Sequence, residues 1–493
     1  MNTKKTCGNN CPFMMSRRRF LGSTAAFLAA SQMEMFDFAS KLLASEYKAT
    51  GKSMIRVAFV RPKVKSYWMG WPGACYDIKA RQKQYTQILK DTAEKLGVKL
   101  EFESEPIDKD EDSSKFVASL ANSKPDGIML VMMCLHHTGS NPWKQADLIA
   151  KDKGEIPMVV FSPMGTSFTQ HINGTSFPNL RKDGVFVGST QDLGWLSFGL
   201  RMLDTVWQMK NTRLLIIRGE RREQKLDVIG TTLQFIKEQC WVDEFNKTAV
   251  SPEIKEIANY YTKNAKKIVE PNAEDILNAA TTYVVAKKLM AQENCQGISL
   301  NCLPLVQQRK ISCPPCIAWL RLNDEGSVGC CETDTGAAIA LRLTSLLCGQ
   351  PGFMQDPVPN TVNNTFMGAH CSCPTKLDGF DKPPAEFILR SHSESETGVA
   401  PQVLWRIGQK VTVMDFDGPG KIILGTGKVL RNIDTPPAGG CRTSVELEMD
   451  NIPDTRDIAG FHQPFIYGDW KDEFKAYCTL AGIKFENIYR PQV

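Results

Sequence analysis

Ile55-Arg-Val-Ala-Phe-Val60 is a β-branched and aromatic run whose apolar side chains fall on both faces of an extended chain. Only Arg56 interrupts it, so it reads as a strand covered on both sides, the situation of a parallel sheet. An amphipathic stretch follows from about Tyr76 to Leu96, and Gly97 is placed to close it as a helix. Val98 to Phe102 reads as a second strand, Ser113 to Ala121 as a short helix and Gly127 to Met133 as a third strand. After another helical run comes Pro157-Met-Val-Val-Phe-Ser162. Strands alternating with helices at this rhythm predict βαβ units and a parallel sheet covered on both faces. Residues 53–180 are expected to form one such domain.

A second series occupies 181–350. Val185-Phe-Val-Gly188, Leu214-Leu-Ile-Ile217 and Gly297 to Cys302 read as strands, while Ala273 to Gln292 and Thr335 to Cys348 read as helices. From about 385 the period changes. Phe387-Ile-Leu, Val411-Thr-Val, Lys421-Ile-Ile-Leu, Gly427-Lys-Val-Leu and Ser444-Val-Glu-Leu-Glu are short alternating runs split by Gly, Pro and Asn. They predict an antiparallel sheet or small barrel, closed by a helix over 471–480 and a last strand over 483–488. The expected fold class is therefore α/β: two doubly wound parallel-sheet domains followed by a C-terminal antiparallel β-barrel-like domain over 351–493. No Gly-x-Gly-x-x-Gly follows a strand; Gly418-Pro-Gly420 and Gly425-Thr-Gly427 read as hairpin turns.

At 493 residues the chain is too long for one ordinary core. Ser16-Arg17-Arg18-Arg19-Phe20-Leu21 precedes a short apolar run to Ala30, the pattern of a twin-arginine export signal over 1–31, with 32–52 as linker. The expected location is periplasmic or extracytoplasmic, with an uncleaved signal as the alternative of a membrane tether. The five basic residues of that signal (Lys4, Lys5, Arg17, Arg18, Arg19) account for the whole charge excess, leaving 54 basic against 54 acidic groups. Nothing in the balance favours nucleic acid or anionic lipid. No later segment reaches the ~18 apolar residues of a spanning helix, so no transmembrane segment is expected in the mature chain.

Chemistry-bearing residues concentrate between Arg321 and Pro374, where Glu332, Asp334, Asp356 and His370 stand beside Gly, Pro or Cys. Oxygen ligands plus imidazole suit a divalent ion of the Mn, Fe, Co or Zn group. Each residue also has an ordinary reading. Glu332 stands where a carboxylate would cap the following helix, and Asp356 where Asp does turn work. The chain has six histidines, His136, His137, His171, His370, His392 and His462. His136 and His137 follow a strand end, at the edge where open α/β sheets bind ligands. Sixteen cysteines, among them Cys313-Pro-Pro-Cys316, Cys330-Cys331 and Cys371-Ser-Cys373, offer a rival zinc or iron–sulfur site. Against it, there is one C-x-x-C, and adjacent cysteines rarely share one tetrahedral ion.

Three patches carry a resemblance. Gly329-Cys-Cys-Glu332-Thr-Asp334, Phe353-Met-Gln-Asp356 and Ala459-Gly-Phe-His462 are similar, in this order, to the ligand segments of the L-fucose isomerase / L-arabinose isomerase superfamily, particularly its exported sugar-isomerase-like members. Met367-Gly-Ala-His370 resembles an additional histidine of the arabinose type. The resemblance covers roughly the last 200 residues and implies that Glu332, Asp356 and His462 hold Mn²⁺ or a similar divalent ion (Fe, Co or Zn). It casts His370 as either a fourth ligand or a substrate contact. It also implies aldose–ketose isomerisation of a pentose or 6-deoxyhexose, with Glu332 and Asp356 exchanging protons, in a homo-oligomer, a trimer or hexamer. Two features depart from the family: His462-Gln463 replaces a double histidine, and the export signal separates this chain from cytoplasmic sugar catabolism, so the substrate need not be shared. An imidazole ligand must be neutral, which predicts loss of activity below about pH 6. The alternatives are an exported carbohydrate-binding protein without catalysis and a Cys-ligated redox protein.

Overall fold

The computed structural model describes residues 51–69, 74–133, 141–162, 177–436 and 439–491. The expected export signal, almost all of the expected linker, and His136, His137 and His171 lie outside the described residues. Met54–Val60 (β1), Lys99–Phe102 (β2), Gly127–Met132 (β3), Met158–Ser162 (β4) and Val185–Ser189 (β5) form an all-parallel sheet in the order β2-β1-β3-β4-β5. The apolar run that opened the sequence reading is split between two cores by the pleat. Ile55, Val57 and Phe59 face Ile78–Leu96 (α1) and Gly194–Asn211 (α4), whereas Ala58 and Val60 face Asp110–Ser123 (α2) and Pro142–Asp152 (α3). Asp77 caps α1 by accepting from Ala80 N–H, and Gly97 ends it in the left-handed conformation that glycine adopts most easily.

The second sheet comprises Arg213–Ile217 (β6), Arg222–Lys225 (β7), Thr232–Ile236 (β8), Gly297–Leu300 (β9) and Val328–Cys331 (β10), in the order β10-β9-β6-β8-β7. All pairs are parallel except the edge strand β7. Glu238–Lys247 (α5), Pro252–Asn264 (α6), Ala273–Gln292 (α7), Cys316–Asp324 (α8) and Thr335–Cys348 (α9) accompany it.

The third sheet is antiparallel apart from its last strand. Phe353–Met354 (β11), Asp356–Asn360 (β12), Thr365–His370 (β13), Lys410–Phe416 (β14), Lys421–Asn432 (β15), Thr443–Met449 (β16) and Pro464–Tyr467 (β17) run in the order β11-β17-β14-β15-β16-β13-β12. Lys484–Asn487 (β18) adds in parallel to β15 after the helix Lys471–Ala481 (α10). The two terminal strands of this order, β11 and β12, are consecutive in the chain and separated only by Gln355. The sheet therefore curls until its edges meet at one residue. Pro357 and Pro359 lie in β12, where they remove backbone donors that another strand could use.

Two strands pair differently from the sequence reading. β5 belongs to the first sheet, so the expected break at 180 is not a sheet boundary; Val185–Ser189 pairs in parallel with Met158–Ser162. The antiparallel pairing starts at Phe353, next to the expected boundary at 351 and ahead of the change of period near 385, because Pro-interrupted 356–360 borrows its order from β13. Phe387–Arg390 leaves the curled sheet altogether and pairs with Ala400–Val403 and Lys267–Ile268. No described helix is long and apolar enough to cross a membrane.

β10 delivers the chain to the site, and its path is held tightly. Asn323 Nδ2 donates to Gly329 O (2.9 Å), while Gly329 N–H donates to Asn323 Oδ1 (3.1 Å). A Cβ on residue 329 would lie 2.5 Å from Trp319 Cα, which is backbone and cannot swing aside. Gly329→Ala is expected to destabilise the fold by about 1–3 kcal/mol, as overpacking does, read as a lowered midpoint of denaturant unfolding.

Candidate metal centre

Glu332 follows the last residue of β10 at the carboxyl edge of the second sheet, where open α/β sheets place ligands. The chain turns there through two left-handed residues, Glu332 (φ 60°) and Thr333 (φ 56°), before α9 begins. The helix cap expected at Glu332 is Asp334 instead: its Oδ1 accepts from Ala337 N–H at 2.9 Å. Glu332 is thereby free to project away from the helix, and its side chain is 48% exposed.

Asp356 and His462 meet through strand register. β11 and β17 pair Phe353 with Phe465 and Met354 with Pro464. Continuing that register sets Gln355 against Gln463 and Asp356 against His462. The first of these pairs is tied by side chains, Gln355 Nε2 donating to Gln463 Oε1 (2.9 Å) and to Gln463 O (3.2 Å), both glutamines being fully buried. On its other flank Asp356 pairs with Ala369, which brings the adjacent His370 to the same place. His462 sits in a third left-handed position (φ 58°), in a turn anchored by Phe461 N–H donating to Asp415 Oδ2 (3.1 Å). Gly460 at φ 99° is required there, since a Cβ would fall 2.6 Å from that same oxygen.

One ligand atom from each of Glu332, Asp356, His370 and His462 lies within 4.8 Å of the others. His462 Nε2 stands 3.0 Å from Asp356 Oδ1 and 3.5 Å from Glu332 Oε2; His370 Nε2 stands 3.7 Å from Glu332 Oε1. Both Nε2 atoms are buried and make no well-directed hydrogen bond. His462 Nδ1–H donates to Asp334 Oδ2 at 2.8 Å, so the ring is oriented by a carboxylate that is also a helix cap. That is the arrangement in which an outer carboxylate fixes the tautomer of a metal-binding histidine. On losing its second proton, His462 presents the Nε2 lone pair on the side of the two carboxylates. One imidazole and two carboxylates, with net charge −2, suit a divalent ion, and the set can accept one.

The electrostatics separate the two histidines. Burial works against charge on His462, but the Asp334, Asp356 and Glu332 carboxylates overcome it and hold the ring up at about 9. His370 is pushed down to about 4 by burial, reinforced by His462 and His392 and opposed by Asp356. Burial, with the charges of Asp356, Glu394 and Asp334, raises Glu332 above the usual carboxylate range against the pull of His462. Burial alone would raise Asp356 too, yet the His462 contact and the field of His370 bring it below that range. The same opposition acts on Asp334, where the His462 and Ala337 donors win.

No set of cysteines joins this group: among the described residues these four form the one convergent cluster of three or more potential ligands, and the cysteines from Cys240 to Cys478 are free thiols. His392 is buried elsewhere, its Nδ1 3.0 Å from Ser395 Oγ. The sequence reading passed over the roles of Gln355, Gln463 and Asp415; a glutamine flanking a ligand gives no pattern of its own, and only the register reveals the tie. Compared with models of known protein families and with curated proteins, the chain matches none.

Two outcomes follow for ion binding. The expected acid limit near pH 6 moves, because a cation must displace a proton that ion-free His462 keeps up to about pH 9. Apparent affinity for Mn²⁺ or Zn²⁺ should rise by about tenfold per pH unit between 7 and 9 and level off above, as measured by titration calorimetry in buffers of differing ionisation enthalpy. With a folded-state value above the unfolded one, the His462 contribution to stability of the ion-free chain is full below about pH 6.5 and lost as pH rises through about 9. Asp334→Asn should weaken metal binding about 10–100-fold, because the ring loses the anion that fixes its tautomer; equilibrium dialysis against each ion measures the loss.

Proposed function

We propose that this chain is a divalent-metal-dependent aldose–ketose isomerase acting on a pentose or 6-deoxyhexose, in a layout of two α/β domains and a barrel-like third. The observation that carries the reading is the convergence of Glu332 and Asp356, which flank one helix, with His462 from far along the chain. Glu332, Asp356 and the Nε2 of His462 would hold the ion, of the Mn, Fe, Co or Zn group. When bound, such an ion supplies Lewis acidity and a template for two neighbouring oxygens.

Isomerisation moves one proton from C2 to C1 of the open-chain sugar and one from O2 to O1. Abstraction beside a carbonyl needs a base within hydrogen-bond reach, and reprotonation at the neighbouring carbon needs an acid. Glu332 and Asp356 supply such a pair: one, as carboxylate, takes the C2 proton and the other, as carboxylic acid, delivers a proton at C1, while the hydroxyl proton passes from O2 to O1 and exchange with solvent restores both carboxyl groups. Each is partly open to solvent, Glu332 at 48% and Asp356 at 35%, while His370 and His462 close the inner side. A substrate would therefore enter over the carboxylates. Phe461, 57% exposed with its ring centroid 4.2 Å from that of His462, lies beside this opening and suits the C–H face of a sugar. Orientation by His462 and Asp334 is shared with the ion site, so binding and proton transfer depend on the same side chains.

Similarity of the three ligand segments to the L-fucose/L-arabinose isomerases supports this reading, as does the site's position at the end of a parallel sheet. An exported homo-oligomer, trimer or hexamer, belongs to the same proposal. Purified protein incubated with Mn²⁺ should convert a member of a pentose and 6-deoxyhexose panel to its ketose. Glu332→Gln and Asp356→Asn should each lower kcat by at least about 10²–10⁴-fold with unchanged circular dichroism. Near-unaltered turnover in either variant contradicts the assignment, and sugar binding without metal or ketose favours a carbohydrate-binding protein.

A further inference from the structure

His370 lies within the cluster, yet its ring is committed in the opposite sense from that of His462. Its Nδ1 accepts a hydrogen bond from the backbone N–H of Cys371 at 2.9 Å. A backbone amide can only donate, so that nitrogen carries a lone pair and no hydrogen. The single proton of the neutral ring must then be on Nε2, the atom directed at Glu332 Oε1 from 3.7 Å. A protonated ring nitrogen has no lone pair to give a cation. Nε2 is also buried and without a hydrogen-bond partner, in a residue only 6% exposed. A desolvated donor with nothing to donate to is costly unless an acceptor arrives with a ligand.

The geometry points to a centre with three protein ligands, Glu332, Asp356 and His462, in which His370 is a hydrogen-bond donor to a substrate oxygen. The acceptor it fits is an oxygen that gains negative charge, such as the carbonyl oxygen of an α-hydroxy aldehyde or ketone as it becomes an enediolate. An N–H fixed by the backbone and aimed at that oxygen acts as part of an oxyanion hole. Three protein ligands also leave positions for two substrate oxygens, which a fourth would narrow. The ring is held by the turn at Cys371, so its direction does not depend on the ion. The substrate class rests on the isomerase reading; the assignment of donor rather than ligand does not.

The test compares His370→Gln with His462→Gln in the full chain, using Mn²⁺ alone and then glycolohydroxamate, a planar two-oxygen mimic of an enediolate, on the Mn²⁺-loaded protein. His370→Gln should keep Mn²⁺ affinity within about threefold while weakening the hydroxamate by about tenfold or more. His462→Gln should lose Mn²⁺ affinity by about a hundredfold. A comparable loss in His370→Gln, or unchanged hydroxamate affinity there, overturns the proposal. Should the variant misfold, the unaltered Zn²⁺-loaded protein decides by long-range ¹H–¹⁵N correlation: a proton on Nε2 of His370 upholds the donor role and a proton on Nδ1 refutes it. These readouts do not involve turnover, so failure to form any ketose would remove the isomerase reading while leaving the ligand count standing.

Discussion

Asp334 divides its two carboxylate oxygens between partners that belong to different sheets. One oxygen caps the helix that leaves the second parallel sheet; the other holds the imidazole of His462, which arrives from the curled antiparallel sheet. This shared anion ties the Glu332 turn directly to the His462 turn, alongside the packing of α9 against β14 and β17. The helix N-terminus favours the negative charge, and the charge orients the ring. The Asp334 contact, together with the carboxylates of Asp356 and Glu332, overcomes burial and explains why His462 keeps its proton far above the ordinary range in the ion-free chain.

The arrangement has an energetic cost. Glu332, Thr333 and His462 all adopt left-handed backbone conformations, each costing a non-glycine residue about 1–2 kcal/mol. Such strain persists where surrounding structure over-determines it. Here the surroundings are identifiable: the Asn323 clamp on Gly329 before the first turn, and the Asp415 anchor with the Gln355–Gln463 tie around the second. The candidate centre is thus held by the fold itself; burial lowers both imidazoles, and the carboxylates around His462 outweigh it there.

Much of this frame was legible in the sequence. The apolar runs at 55–60, 127–133 and 157–162 announced buried parallel strands because nothing but two covered faces explains them. Glu332 and Asp356 stood out by their turns, and His462 only through the resemblance of its segment. Harder to read were elements stabilised by partners far along the chain. Val328–Cys331 contains Gly-Cys-Cys and has little strand character of its own; it extends because β9 and Asn323 hold it. Asp356–Asn360 contains two prolines and is a strand only beside β13. Asp334 read as one end of a motif, since its second partner is 128 residues away. Tertiary contacts, invisible to local periodicity, decided each of these.

The central claim is that one cation is gripped by Glu332, Asp356 and His462 together. Anomalous diffraction at the manganese edge, from crystals of the full chain grown with Mn²⁺, addresses it directly. The account predicts a single strong peak at bonding distance, roughly 2.0–2.3 Å, from both carboxylates and from Nε2 of His462. A peak held by other residues, or none at saturating Mn²⁺, would contradict it.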